Sequence, residues 1–477
     1  MYAGSNVVLG AGSSRCAVLA TSVRFKTAKF KPKIAKNRPL KTPSAVALDH
    51  FDFYYGPMFG ESKWPSIRLG LLSPNKYIAI VNTLSKTWEA NDALLADLGT
   101  TDLMKRIIGP TASERIEERK KRVDGAARRA DQDEAEEAAA LLREDSHAEY
   151  NPSLSDRLSA ATLSEFAPSP GSISIGELHL GKKKGDKRNQ DFEVTGFEGT
   201  GSRLPVRPHF IYYPRELRVR TYDRGSFADY PPPMMDSQKV PSWWLLDGGS
   251  IVPILALGIQ EGDSVLDVCA APGGKSLAIL LTGLPSKLVC NDAKMARLGQ
   301  LKRALSTYVP SEHPSGVADK VILKRKDATD VRSWDEIGCY DKVLADVPCS
   351  TDRLSVTQDE GNMFAAQHSN DRLGLPEKQT KILVNSIRSL CVGGSVVYST
   401  CTMATSQNEA VVENAAAIVE QRYGIKVVEE SLSSLRDHLT SSGLFRFSDA
   451  CQRGALVLPF LPSNFGPMYV CKLTRTQ

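Results

Sequence analysis

Hydrophobic and polar positions divide the chain into three regimes. From Val46 to about Ile108 apolar residues are dense. Phe51, Phe53, Tyr54, Tyr55, Phe59 and Trp64 form an aromatic cluster, Ser66–Leu72 follows, and Tyr77–Val81 reads as a buried element. Such a segment is too short to be comfortably stable alone, so residues 46–108 are predicted to be an N-terminal extension packed on a larger domain. Between 109 and 207 the apolar period disappears. Thr111 and Glu114, in Pro110-Thr-Ala-Ser-Glu114, have capping-box spacing and predict a charged helix to about Asp145, either solvated or laid along a partner. The remainder to Arg207 is rich in Ser, Gly, Pro and Lys and predicts a largely disordered insertion. Its basic cluster Gly181–Arg188 suits RNA phosphates or a solvated linker equally well in kind.

From 208 to 477 strand-like and helix-like periods alternate. Trp243–Leu257 is a helical apolar segment leading into a strand through Val265, Leu266 and Val268. Lys287–Asn291, Val321–Lys324, Lys342–Asp346 and Gly394–Ser399 are further strands, separated by helices over Met295–Tyr308 and Gln379–Leu390. A helix over Asn408–Tyr423 and strands over Lys426–Glu429 and Met468–Leu473 close the pattern. This alternation predicts an α/β fold with a doubly wound, mostly parallel sheet. Ligands of such sheets bind outside the carboxyl ends of the strands.

The strand ends carry the chemistry. The first strand runs into Pro272-Gly-Gly274 and a helix beginning with Lys275 and Ser276, so a ligand can approach bare backbone N–H groups. Neither the G-x-G-x-x-G of a dinucleotide site nor the spacing of a P-loop is present. The following strands end in Asn291-Asp292, near Asp327, in Asp346-Val-Pro-Cys349 and in Ser399-Thr-Cys401. Singly, Asp292 or Asp327 reads equally as a helix cap, and a free cysteine as a small buried hydrophobe. Together, three acids and two thiols at one crevice suit methylation of a pyrimidine ring carbon. A thiolate adds to carbon 6 and pushes electron density onto carbon 5, which attacks a sulfonium methyl group. A carboxyl group near ring nitrogen 3 stabilises the developing charge, and a second thiol assists release. The Asn/Asp-Pro-Pro-Tyr element of amino-group methyltransferases is absent.

Charge and composition alter this picture at one end only. Residues 1–48 contain nine Lys and Arg and no acid before Asp49, in a chain with 55 Asp and Glu overall. That pattern predicts a mitochondrial transit peptide over about 1–45, cut between Arg15 and Pro43, with a basic RNA-touching arm as the alternative. Net charge is +5, compatible with an RNA partner without establishing one. No apolar run approaches the ~18 residues of a membrane span. The nine cysteines form no C-x-x-C pair and the seven histidines do not cluster, which argues against a zinc site or a disulfide framework.

Asp267-Val-Cys-Ala-Ala-Pro-Gly-Gly-Lys275, Asp346-Val-Pro-Cys349 and Ser399-Thr-Cys401 closely resemble, in order and spacing, the motifs of the Nol/Nop/Sun (NSUN) RNA cytosine-5 methyltransferases. The chain is most similar to the mitochondrial ribosomal-RNA member of that family, over Phe51–Val81, Leu245–Thr351 and Gly394 to the tail Asn464–Lys472. Pro348-Cys-Ser-Thr-Asp-Arg353 resembles that member rather than relatives with Pro-Cys-Ser-Gly, and residues 110–205 match nothing in it. The resemblance implies a Rossmann-like class I S-adenosylmethionine-dependent methyltransferase with a seven-stranded sheet over 208–477. It implies Cys401 as nucleophile, Cys349 as the release thiol, and Asp346 as the cytosine contact beside the donor methyl. The DNA enzymes of this chemistry use the Pro-Cys thiol as nucleophile, so the opposite assignment of the two cysteines stays open. Gly273, Gly274, Lys275 and Ser276 would hold the methionine end of S-adenosylmethionine, Asp292 the ribose and Asp327 the adenine edge. Arg297 would be a supporting contact, with an ordinary surface charge as its alternative. Cys269, on the turn itself, is expected to be a packing residue. The resemblance further implies mitochondrial small-subunit ribosomal RNA as substrate, the mitochondrial matrix as location and a partner of the mitochondrial transcription-termination-factor family. A mitochondrial transfer-RNA methyltransferase, or an assembly factor whose methylation is dispensable, are the competing readings.

Overall fold

Val265-Leu266, Leu288-Val289, Val343–Ala345 and Val396–Tyr398 are the buried middles of four strands of one sheet. Covered on both faces, they read as continuous hydrophobic runs rather than as alternation. The computed structural model describes residues 41–109, 204–226 and 228–477. The basic segment up to residue 40, the helix start at Pro110 and the charged and Ser/Gly/Pro-rich stretch up to residue 203 lie outside the described residues.

The described chain opens with helix α1 (Pro43–Leu72), strand β1 (Tyr77–Val81), α2 (Trp88–Asp97), β2 (Thr100–Asp102) and α3 (Leu103–Ile108). After residue 203 come β3 (Val206–Arg207), β4 (Val219–Tyr222), β5 (Trp243–Asp247) and α4 (Ile251–Leu257). The alternating part follows as β6 (Ser264–Asp267), α5 (Gly274–Leu281), β7 (Lys287–Asn291), α6 (Met295–Tyr308), β8 (Val321–Lys324) and β9 (Tyr340–Asp346). It continues with α7 (Asp352–Thr357), α8 (Ser369–Leu373), α9 (Leu375–Ser389), β10 (Leu390–Thr400) and α10 (Glu409–Tyr423). The last elements are β11 (Val427–Glu430), α11 (Ser433–Ser441), β12 (Ala455–Val457) and β13 (Met468–Arg475).

The main sheet has the order β3-β11-β13-β10-β9-β6-β7-β8, with β12 paired to β13. From β8 to β10 every pair is parallel, and β13 runs antiparallel between β10 and β11. Without the short pieces β3 and β12, this is the expected seven-stranded, mostly parallel Rossmann-like sheet. β3 lies inside the stretch read as insertion; it joins the sheet edge by pairing parallel to β11.

Two expectations need correction. Trp243–Asp247, read as the start of a helix, is strand β5 of a second, antiparallel sheet ordered β2-β4-β1-β5. Its register against β1, from Tyr77↔Asp247 to Val81↔Trp243, supplies backbone partners that no local pattern announces. β1 and β2 precede the 110–203 segment while β4 and β5 follow it, so the second sheet is assembled across it. The aromatic cluster also divides. Phe51, Tyr55 and Phe59 recur every four residues on the buried face of α1, whereas Phe53 and Tyr54 point outward and are 73% and 57% exposed.

Candidate active site

β6 pairs with β7 on one side and β9 on the other, so the chain reverses direction across the sheet at β6. This is the switch point at which an open parallel sheet leaves a crevice. The turn leaving β6 has Gly273 at φ 118°, and a Cβ there would stand 2.9 Å from Leu301 of α6. A Cβ on Gly274 would stand 3.1 Å from Leu246 of β5. The glycines thus let α6 and β5 close on the turn. Ser276, expected to face a ligand, is fully buried and donates its hydroxyl to Asp267 Oδ2 at 2.7 Å. One turn into α5, its side chain points back beneath the strand end and shapes the turn from below.

Asp267 is itself buried, and its Oδ1 has no partner among the described residues. Burial pushes its carboxyl up to about 7, against the Ser276 hydrogen bond and with help from the Asp346 charge. The sign follows from comparison with an unfolded aspartate near pH 4. Between the two values the unfolded chain has released its proton and the folded chain has not, so stability falls as pH rises through this window. Asp267→Asn removes that dependence. Its unfolding free energy should gain about 3 kcal/mol on the native chain between pH 4 and pH 7, at ~1.4 kcal/mol per unit. Parallel curves in urea titrations across this range would show that Asp267 is ionised throughout.

Beside the turn, Lys275 donates to Asp346 Oδ2 at 2.7 Å, and Ser399 Oγ donates to Asp346 Oδ1 at 2.7 Å. Burial works against the charged form of Lys275, but Asp346 outweighs it and holds the ammonium above its ordinary range. Asp346 ends β9 and Ser399 is its register partner on β10, so the parallel pairing brings the two motifs together. Beyond them Cys349 and Cys401 place their sulfurs 3.2 Å apart, and Cys401 N–H points to Cys349 Sγ at 3.3 Å. Both thiols are free. The Cys401 thiol is pushed well above its ordinary range by its hydrogen bond with Cys349, then by burial and the Asp346 charge, with Lys275 pulling the other way.

A cavity of about 170 Å³ adjoins this group. Asp292, Arg297 and Asp327 line it, with Cys269 on its turn-side wall and Pro348 and Lys378 opposite. Asp292 Oδ2 lies 3.4 Å from Arg297 Nε, and Arg297 also donates to the Ala271 carbonyl on the glycine turn. Asp327 accepts from Thr329 N–H at 2.9 Å and Thr329 Oγ1 at 2.8 Å. Burial first, and the surrounding acids next, drive the Cys269 thiol upward, which fits an inert wall residue. The structure therefore gathers Lys275, Asp346, Cys349 and Cys401 at one point and Asp292, Arg297 and Asp327 at the next.

Residues 254–463 match the family model for 16S rRNA methyltransferase RsmB/F. The chain is 58% identical to the 5-cytosine rRNA methyltransferase nsun-4 of Caenorhabditis elegans, over 96% of this chain and 97% of that one. It is 34% identical to the 5-cytosine rRNA methyltransferase NSUN4 of Mus musculus, over 94% of this chain and 93% of that one. The chain belongs to the NSUN family of RNA cytosine-5 methyltransferases. A more distant match in the family, the mitochondrial tRNA (cytosine(34)-C(5))-methyltransferase of Danio rerio, is 38% identical over 49% of this chain and 60% of its own length.

Within this NSUN site, several residues that the motifs did not single out hold the two thiol loops together. Asp352 is fully buried; its Oδ2 accepts from Met403 N–H at 2.8 Å and Tyr55 OH at 2.9 Å, and its Oδ1 accepts from Ser350 Oγ at 3.1 Å. Its own N–H donates to Cys401 O at 3.2 Å. Gln407 accepts from Ser350 N–H at 3.0 Å and from Gln379 Nε2 at 3.1 Å, while Gln379 also donates to Pro348 O at 2.8 Å. Asn291 donates to Val268 O at 2.9 Å and to Lys326 O at 3.0 Å, joining the ends of three strands. The available signals were slight: a carboxylate three residues after Cys349, and an asparagine immediately before Asp292. Between them, Thr351 sits at φ 49°, ψ 68°, a left-handed conformation that a β-branched residue adopts only under constraint.

Proposed function

We propose that this chain methylates carbon 5 of a cytosine in mitochondrial small-subunit ribosomal RNA, in the matrix and in the course of ribosome assembly. The observation that carries the chemistry is the pair of free thiols 3.2 Å apart, beside Asp346 and its Lys275 partner. The family supports ribosomal RNA as the substrate class. The acid-free basic segment up to residue 48 supports import, and the resemblance supports delivery by a partner of the mitochondrial transcription-termination-factor family.

S-adenosylmethionine, when bound, supplies an electrophilic sulfonium methyl group. The residues present fit it: Asp292 and Asp327 offer acceptors for ribose and adenine along the cavity, and Lys275 and Gly273–Gly274 border the turn. The unpartnered Asp267 Oδ1 would offer a further hydrogen-bond acceptor at the turn to the ammonium group of the methionine end. Arg297 positions Asp292 and the turn carbonyl. The Cys401 thiolate adds to carbon 6 of the cytosine, and the Asp346 carboxyl, with Lys275 as its proton-bearing partner, would meet ring nitrogen 3, where negative charge builds. Once carbon 5 carries the methyl group, Cys349 as thiolate takes the carbon 5 proton, the carbon 5–carbon 6 double bond re-forms, and the carbon 6–sulfur bond breaks to release Cys401 as thiolate.

Two measurements test this reading. Bisulfite sequencing of mitochondrial RNA after depletion should show one cytosine of the small-subunit ribosomal RNA losing its methyl group. A loss confined to transfer RNA would overturn the substrate, and full rescue of translation by Cys401→Ala would favour assembly without methylation. The second measurement is kinetic. With the Cys401 thiol held above its ordinary range, the thiolate fraction grows across the accessible pH scale. kcat/KM for RNA reports the free enzyme and should rise about tenfold per unit from pH 6 to pH 9. A plateau below pH 8 would contradict a protonated Cys401.

A further inference from the structure

Past the first turn of α9, the rim of the cleft runs into a row of rings and cations. Lys378 lines the cavity beside Asp327 and Pro348, and Gln379 holds the Pro348 carbonyl next to Cys349. Upstream, Arg372 of α8 lays its guanidinium over the Phe364 ring, 4.2 Å from the centroid. The Phe364 ring lies 5.2 Å from His50, which lies 4.5 Å from Tyr54, and Phe53 meets Tyr54 edge-on at 5.1 Å. The row thus crosses from α8 onto α1. Its outer members are open, with Phe53 73%, Tyr54 57% and Leu373 75% exposed.

Neither Arg372 nor Lys378 makes an ion pair among the described residues. Burial lowers the Arg372 pKa with no carboxylate to offset it, and burial, then the Arg372 charge, lowers that of His50. Exposed rings at one end of a row, Phe53 and Tyr54, and cations without an ion pair at the other, Arg372 and Lys378, suit a single-stranded nucleic acid, whose bases stack while its phosphates pair. A membrane or an apolar protein face would leave the cations unsatisfied. A duplex would not offer its bases to the rings.

We propose that Phe53, Tyr54, His50, Arg372 and Lys378 form a track for single-stranded RNA that carries the nucleotides flanking the target from α1 to the cleft at Pro348-Cys349. This rests on the RNA-methylating function above and assigns the strand its path.

The test uses the full chain, a labelled single-stranded RNA of about twelve nucleotides and the blunt duplex of the same sequence, followed by fluorescence anisotropy. Phe53→Ala/Tyr54→Ala should weaken the single strand about tenfold or more and the duplex far less. Arg372→Gln should weaken it too and reduce the slope of log affinity against log salt by about 0.7, the value of one single-strand phosphate contact. Affinity for S-adenosylmethionine and the melting temperature should be unchanged in both. Because Phe53 and Tyr54 are exposed, their loss does not disturb the core. Unchanged single-strand affinity, or an equal loss for the duplex, would overturn the track. A native chain that neither binds nor methylates RNA would instead overturn the function on which it rests.

Discussion

Cys401→Ala should lose methyl transfer by at least about 10³-fold and form no covalent product, whereas Cys349→Ala should accumulate a protein–RNA adduct that survives denaturing electrophoresis. The two variants differ because the two sulfurs act on opposite sides of one covalent intermediate. Addition needs only a nucleophile on carbon 6 and a carboxylate beside the ring, and both remain in Cys349→Ala. Expulsion needs Cys349, whose sulfur sits 3.2 Å from Cys401 Sγ and receives the Cys401 N–H. Removing Cys349 also removes the largest influence raising the Cys401 thiol, so adduct formation should begin at lower pH than in the native chain. An adduct with Cys401→Ala and none with Cys349→Ala would exchange the roles.

A buried hydrogen-bond network sets the separation of the thiols. Asp352 receives groups from both thiol loops and from α1, and Gln407 receives a group from the Cys349 loop and another from α9. A buried network of this kind is satisfied in one geometry only, which fixes the distance between the reacting groups before RNA arrives.

Much of this was legible in the chain, for identifiable reasons. β7, β8 and α6 have the boundaries the pattern implied, because buried parallel strands and an amphipathic helix differ sharply in period. That Asp292, Asp327, Asp346, Cys349 and Cys401 lie together was legible because topology sends strand ends to one edge of the sheet. β5 was illegible as a strand because Trp243–Leu257 is apolar on both sides of the short break Asp247-Gly-Gly-Ser250. Those glycines answer a long-range contact, since a Cβ on Gly248 would run into the Phe465 ring. Ser276 was misdirected because spacing places a residue on a turn without saying which way its side chain leaves. Asp352 went unnoticed because its partners lie near residues 55 and 402, remote in sequence from the motif.

Arg353→Ala should cost about 4 kcal/mol of stability, among the largest losses available to any single substitution outside the hydrophobic core. The guanidinium sits at the end of the Cys349 loop and satisfies carbonyls from two remote segments. It donates to Gly70 O and Ser73 O at 2.7 Å at the end of α1, and to Gly466 O at 2.7 and 2.9 Å and Asn464 Oδ1 at 3.1 Å. Burial lowers its pKa, the Asp247 charge opposes this without direct contact, and the hydrogen bonds to the carbonyls satisfy the buried guanidinium. Truncation leaves several buried carbonyls without donors, each costing about 1–3 kcal/mol before relaxation and water entry recover part. Arg353→Lys keeps the charge but cannot span both segments with one ammonium, and should recover less than half of the loss. Urea unfolding of the two variants measures this directly. The same substitutions should make the end of α1 the first site of proteolytic cleavage, because Arg353 ties the C-terminal end of that helix to the catalytic loop. An Arg353→Ala chain with native stability and an intact α1 would show that the carbonyls find other donors, and that the remaining contacts of the N-terminal extension, among them Tyr55–Asp352, Lys63–Asp449 and Asn464 with Ser73 O and Pro74 O, suffice to hold it.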